Sequence, residues 1–152
     1  MSVTIKSKSD LLKLREAGRI AARALEHAGK VMHPGMTTKQ LDRSIHEFIV
    51  SCGAVPTFLG YGGFPASACI SINEEVIHGI PSNRRVIREG DIVSVDVGAT
   101  FDGFVGDTAY TFAVGDISEE KADLLKVTQD SLYAAIAAAK AGARLGDVSV
   151  SY

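Results

Sequence analysis

Ile92-Val93-Ser94-Val95-Asp96-Val97-Gly98-Ala99-Thr100-Phe101-Asp102-Gly103-Phe104-Val105-Gly106-Asp107-Thr108-Ala109 reads as an antiparallel hairpin. Asp-Gly is a dipeptide that tolerates the two positive φ angles of a two-residue turn, so Asp102-Gly103 predicts strands over Ile92 to Val97 and Phe104 to Val114. With those two residues in the turn, Phe101 faces Phe104, and counting back puts Asp96 opposite Ala109 and Gly98 opposite Asp107. Opposed residues share a face, so Asp96 and Asp107 project from the same face as diagonal neighbours, roughly 7–8 Å apart at the backbone. Val93, Val95 and Val97 alternate with them and predict an apolar opposite face. Two readings of the acid pair follow. Converging carboxylates can hold one hard cation or a pair of cations, activating water and polarising a carbonyl. Alternatively, one acid closes a turn while the other pairs with a surface Arg or Lys. As a cage, two acids are incomplete.

The rest of the chain sets the frame. At 152 residues, with 46% hydrophobic and 22% charged side chains, it is long enough to build a core without disulfide or metal staples, and disorder and collagen-like structure are excluded. Cys52 and Cys69, the two cysteines, fit neither a secreted disulfide framework nor a zinc-binding spacing. No apolar run approaches the roughly 18 residues of a membrane span, and Met1 to Lys8 is too polar for a signal peptide, so a soluble, cytoplasmic protein is expected. The net charge of −2 divides into +4 over residues 1–30 and −6 over residues 31–152. That basic start is small and lacks interleaved aromatics, so no specific nucleic-acid partner is expected.

Leu11, Leu14, Ala17, Ala21, Leu25, Ala28 and Met32 recur at helical spacing and predict a first helix, capped by Ser9 and stopped near His33-Pro34-Gly35. Thr37 and Gln40 have the capping-box spacing for a second helix, whose stripe is Leu41, Ile45, Phe48, Ile49 and Cys52. Glycine and proline then punctuate short β-branched runs such as Ala68 to Ile72. Ser118 caps a third helix, expected to turn Leu124, Leu125, Thr128, Leu132, Ala135 and Ile136 inward and to end near Gly142. Asp147 is expected to cap a last, abandoned helical start.

Other chemistry-bearing positions are fewer. His78, held between β-branched residues before a Gly-x-Pro break, could donate to a substrate carbonyl, or could be structural. Tyr61, Phe64 and Cys69 flank a glycine-rich loop and could line an apolar pocket, or pack as ordinary core. Gly60-Tyr61-Gly62-Gly63 lacks the following helix and the Lys-Ser/Thr of a phosphate loop. His27, His33 and His46 are assigned no chemistry.

Gly60-Tyr61 through Phe64-Pro65, Cys69-Ile70-Ser71-Ile72-Asn73-Glu74, His78-Gly79-Ile80-Pro81, and Gly90-Asp91-Ile92-Val93 through Asp96 to Gly106-Asp107-Thr108 resemble the type I methionine aminopeptidases in order and spacing, over about Ile5 to Ser149. The resemblance implies an α/β pita-bread fold, of which residues 1–152 would be the N-terminal half: an antiparallel sheet with helices packed on one face, as a single truncated domain. It implies a metallo-exopeptidase that removes initiator methionine from nascent chains, with two divalent ions (Co, Mn, Fe or Zn) as cofactors. Carried over by position, Asp96 and Asp107 correspond to the first two metal ligands, and His78 to the histidine that hydrogen-bonds the scissile peptide. Tyr61, Phe64, Cys69 and His78 correspond to the substrate site, the first three being similar to the family's methionine pocket. Phe64 stands where Tyr is frequent, and Phe58 where Cys can occur.

The family places a further His and two Glu ligands in a second half, so this sequence supplies two ligands of five. An impaired enzyme is therefore expected, with either self-association or a C-terminal half covering the exposed face. Peptides beginning with Met are the implied substrates, and the ribosome an implied neighbour. The alternatives are half of a split aminopeptidase, a non-catalytic pita-bread module that binds peptides or proteins, and a proline-specific peptidase of the same fold.

Overall fold

The alternation of Val93, Val95 and Val97 with Ser94, Asp96 and Gly98 becomes the central strand of a four-stranded antiparallel sheet in the computed structural model, which describes residues 4–150. Residues Met1–Asp116 form one compact unit and Ile117–Tyr152 a second. In the first, the strands are β1 (Val55–Pro56), β2 (Ala68–Ile72), β3 (Ile92–Phe101) and β4 (Phe104–Ala113). β4 pairs with the whole of β3 along one edge, while β2 and the short β1 follow one another along the other. The hairpin register is the one the turn dictates: Phe101 faces Phe104, Asp96 faces Ala109 and Gly98 faces Asp107. Asp102 and Gly103 have φ of 48° and 80°, the paired positive values of this turn class. Lys13 of the first helix holds Asp102 at 2.7 Å.

Helices α1 (Lys8–Val31) and α2 (Thr38–Ser51) cover one face of the sheet, α1 over β3 and β4, α2 over β1 and β2. Small residues let α1 come close: Ala17, Ala21, Ala24 and Ala28 are all fully buried. At Gly106 of β4 any Cβ would overlap the backbone of Ala17 and Gly18, so glycine is required there. Leu41, Ile45 and Ile49 of α2 pack with Ile70, Val93, Val95 and Val97 into one core. Asp42, also buried, fastens α2 to the start of β2 by accepting from Ser67 N at 2.8 Å and Ala68 N at 3.1 Å. Lys39 neutralises it at 2.8 Å.

Thr37 caps α2 through the expected box with Gln40. For α1, the cap is Ser7 rather than Ser9, because Asp10 lies three residues beyond Ser7 and closes a reciprocal box with it. The second unit holds α3 (Glu119–Ala138), capped by Ser118, and α4 (Leu145–Ser149). α3 ends at Ala138, four residues before Gly142, and buries none of its residues; Leu124, Leu132 and Ile136, expected to face inward, are exposed. Asp147 sits inside α4, its carboxylate accepting from the Arg144 backbone at 2.8 Å, instead of preceding the helix as its cap. Residues 151 and 152, where the sequence departs from a helical ending, lie outside the described residues. Among the described residues no helix is long and apolar enough to cross a membrane.

Candidate active site

The face of the sheet opposite α1 and α2 is polar by the same alternation that makes the other face apolar. Ser94 and Thr111 pair across β3 and β4 through their hydroxyls at 2.8 Å, and Thr57 and Thr100 pair at 2.9 Å. Between these pairs lie Asp96 on β3 and Asp107 on β4. Cys69 on β2 is directly opposite Asp96 on its other side, so all three side chains belong to one face.

Asp107 lies close enough to Asp96 to act on its titration. Burial, first, and then the Asp107 charge raise Asp96 above the ordinary carboxylate range; His78, nearby, acts in the opposite direction. The same neighbours act on Cys69. Burial chiefly, helped by the negative fields of Asp96 and Asp107, pushes its thiol up to about 11. Cys69 is thus an uncharged thiol at neutral pH, free of thiolate reactivity.

Neither acid is held by a Lys or Arg among the described residues. The reading in which one closes a turn and the other forms a surface ion pair is therefore set aside. Two converging acids, Asp96 half-buried and Asp107 exposed, without a Lys or Arg partner are a donor set that a hard divalent ion suits. Among the described residues no group of three or more His, Cys, Asp or Glu is arranged to hold a metal, so the fit is that of a partial ligand set.

His78 lies in the loop after β2, exposed and close enough for its charge to act on Asp96. Its φ of 58° is left-handed, a conformation that costs a non-glycine residue of order 1–3 kcal/mol and persists only where surroundings impose it. Those surroundings are the next residue's contacts. Gly79 O accepts from Ile70 N at 2.9 Å, and Gly79 N donates to the buried Ser71 Oγ at 3.0 Å. A Cβ at Gly79 would overlap the Ile70 carbonyl, so glycine is required for the loop to lie this close to β2. Arg85 ties the loop's beginning, donating to Ile72 O at 3.3 Å and pairing with Glu74 at 3.3 Å. Sequence reasoning missed Ser71, Gly79 and Arg85; the only signal was the glycine beside His78.

Asp96, Asp107, Cys69 and His78 are thus brought together. Tyr61 and Phe64 are placed differently: Tyr61 is 80% exposed on the single 3-10 turn Tyr61–Gly63, and Phe64 is half-buried behind it. Phe58 fills the space over Gly98, where an added Cβ would come within 2.7 Å of its ring. The larger cavity of this unit, about 430 Å³, lies beside α2 among Lys39, His46, Leu59 and Pro65, and includes none of the four clustered residues.

The model of metallopeptidase family M24 matches residues 12–151. A methionine aminopeptidase of Clostridium acetobutylicum is 52% identical over 149 residues, covering 98% of this chain and 60% of that protein. The crystal structure of methionine aminopeptidase from Thermotoga maritima superposes with a TM-score of 0.95 at 43% identity, over 99% of this chain and 60% of the other. X-Pro aminopeptidase from Thermotoga maritima MSB8, at 22% identity and a TM-score of 0.75, shares the fold over 90% of this chain and 37% of its own. The fold is the pita-bread aminopeptidase fold, and the chain spans about 60% of the length of the methionine aminopeptidases it matches.

Proposed function

The chain belongs to metallopeptidase family M24, and from its converging carboxylates we propose that it serves the metal-dependent removal of initiator methionine from nascent proteins, residues 1–152 contributing the N-terminal half of one pita-bread domain. The observation that carries this reading is the convergence of Asp96 and Asp107 on one face of the sheet, with neither paired to a Lys or Arg among the described residues. Similarity to methionine aminopeptidases, at 52% identity in the Clostridium case, supports the substrate class.

In this reading Asp96 and Asp107 hold divalent ions, drawn from Co, Mn, Fe and Zn. Bound metal would generate a nucleophile from water at neutral pH and polarise the scissile carbonyl. His78, presented by the Ser71–Gly79 contacts, hydrogen-bonds the peptide being cleaved and so orients it. Cys69, kept as a neutral thiol, adds no third negative charge to the pair and offers a soft surface to a thioether, with Tyr61 and Phe64 as further walls of the methionine site.

With two carboxylates as its share of the ligands, the 152-residue chain taken alone is expected to bind metal weakly and to hydrolyse slowly. Methionine release from a Met-Ala peptide tests this, with bound metal measured by elemental analysis, for the chain alone and for the chain mixed with a C-terminal half from a relative. Metal and activity that rise together in the mixture and vanish in Asp107→Asn support the proposal. Release of proline-linked residues in preference to methionine would contradict the substrate class. Folded protein with neither metal nor activity in the mixture would favour the non-catalytic binding module.

A further inference from the structure

Three of the five residues from Arg84 to Arg88 are arginines, and all three line one cavity of about 190 Å³ with Asn73, Glu74 and Asp91. That is the space of roughly six waters at about 30 Å³ each. Three arginines stand in its wall against Glu74 and Asp91, so a positive excess remains. Asp91 is buried and occupied with uncharged partners: one oxygen accepts from Asn73 Nδ2 at 2.7 Å, the other from the Arg88 backbone N at 2.8 Å. Glu74 and Glu75 both serve Arg85, at 3.3 Å and 3.6 Å. Among the described residues the guanidinium groups of Arg84 and Arg88 form no ion pair, although both line the cavity.

A second observation falls on the same wall. Arg85 Nε is the one buried side-chain polar atom among the described residues without a hydrogen-bond partner. A buried donor left unpaired is costly, and in native proteins it calls for an explanation such as a bound ion or water. Here it coincides with two unpaired cations around a polar hollow.

We infer that this cavity is a binding site for a phosphate-type oxyanion. Guanidinium groups present their donors as planar forks that match phosphate oxygens in pairs. The four oxygens of a tetrahedral group are enough for the forks of Arg84 and Arg88 together. A carboxylate has two oxygens and one charge, and serves one fork well. The site contains none of Asp96, Asp107, Cys69 or His78, so it stands or falls independently of the peptidase reading. A backbone phosphodiester, with two free oxygens and one charge, matches the site no better than a carboxylate, so the structure favours free phosphate.

The test is NMR of the isotope-labelled chain, titrated with inorganic phosphate, then acetate, then a short single-stranded RNA, with chloride added to hold ionic strength constant. Phosphate is expected to shift the Arg84, Arg85 and Arg88 Nε–H resonances saturably, and more tightly than acetate. Arg84→Ala and Arg88→Gln are each expected to weaken phosphate about tenfold. Arg88→Lys keeps the charge without the fork and should fall between Arg88→Gln and the parent. Both arginines are exposed, so an unchanged melting temperature is expected to show that these variants remain folded. RNA that shifts these resonances no more tightly than phosphate supports the site, and RNA that binds there more tightly than phosphate overturns the assignment. Phosphate shifts no stronger than those of acetate or chloride, or shifts that persist in the Arg84→Ala, Arg88→Gln double variant, overturn it.

Discussion

The two faces of β3 differ by one residue in phase and by everything in what they ask of their surroundings. On one face Val93, Val95 and Val97 are 0% exposed beneath helices supplied by the same chain. On the other, Asp96 faces Asp107 and is raised in pKa by burial and by that neighbour, with no Lys or Arg among the described residues to relieve it. The covered face is complete in itself and stabilises the fold. The open face holds an electrostatic conflict that a bound cation resolves. Stability and chemistry are thus separated by the two-residue period of a strand.

Substitution of a buried apolar residue and of Asp96 should therefore have opposite signs. The largest loss is expected on the covered face. Ile45→Ala, at a fully buried position, should cost about 2–5 kcal/mol in urea unfolding without altering metal affinity at the proposed Asp96 and Asp107 site. A loss below about 1 kcal/mol would mean that this face is not the closed core described here. Next is the His78 support. Ser71→Ala removes the acceptor of Gly79 N, and is expected to cost about 1 kcal/mol. It should also broaden the His78 resonances, whereas a structural role for Ser71 alone would leave them sharp.

The smallest effect has the reverse sign. Asp96→Asn, in metal-free protein, should raise the melting temperature at neutral pH. A carboxyl whose folded-state pKa is raised stabilises the fold fully below its unfolded pKa and loses that contribution as pH rises through the folded value. The advantage of the variant should hence be absent at strongly acidic pH, open through the acid range, and level off towards neutrality. Equal melting temperatures across that range would remove the conflict from the open face and with it the contrast between the two.

How far these features were legible depends on how local their causes are. The Asp102-Gly103 turn fixes its own register, so the convergence of Asp96 with Asp107 could be read by counting. The α2 cap was equally plain, because Thr37 and Gln40 satisfy each other within one turn. At α1 two serines competed, and only the reach of Asp10 back to Ser7 decides between them. The inward face expected of α3 was read from spacing alone, which cannot say whether anything covers it; no residue of α3 is buried. Beyond the hairpin, the site depends on contacts that no periodicity encodes. Ser71 and Gly79 meet across a loop, and Arg85 reaches back thirteen residues to Ile72. Their partners become visible only once the chain is folded.

Paramagnetic broadening by Mn²⁺ is the most direct test of the central claim that Asp96 and Asp107 grip a common cation. Low Mn²⁺ is expected to bleach the amide signals of Cys69, Asp96 and Asp107 before others, and to lose that selectivity in Asp107→Asn. Broadening centred elsewhere, or unchanged in that variant, would contradict the account.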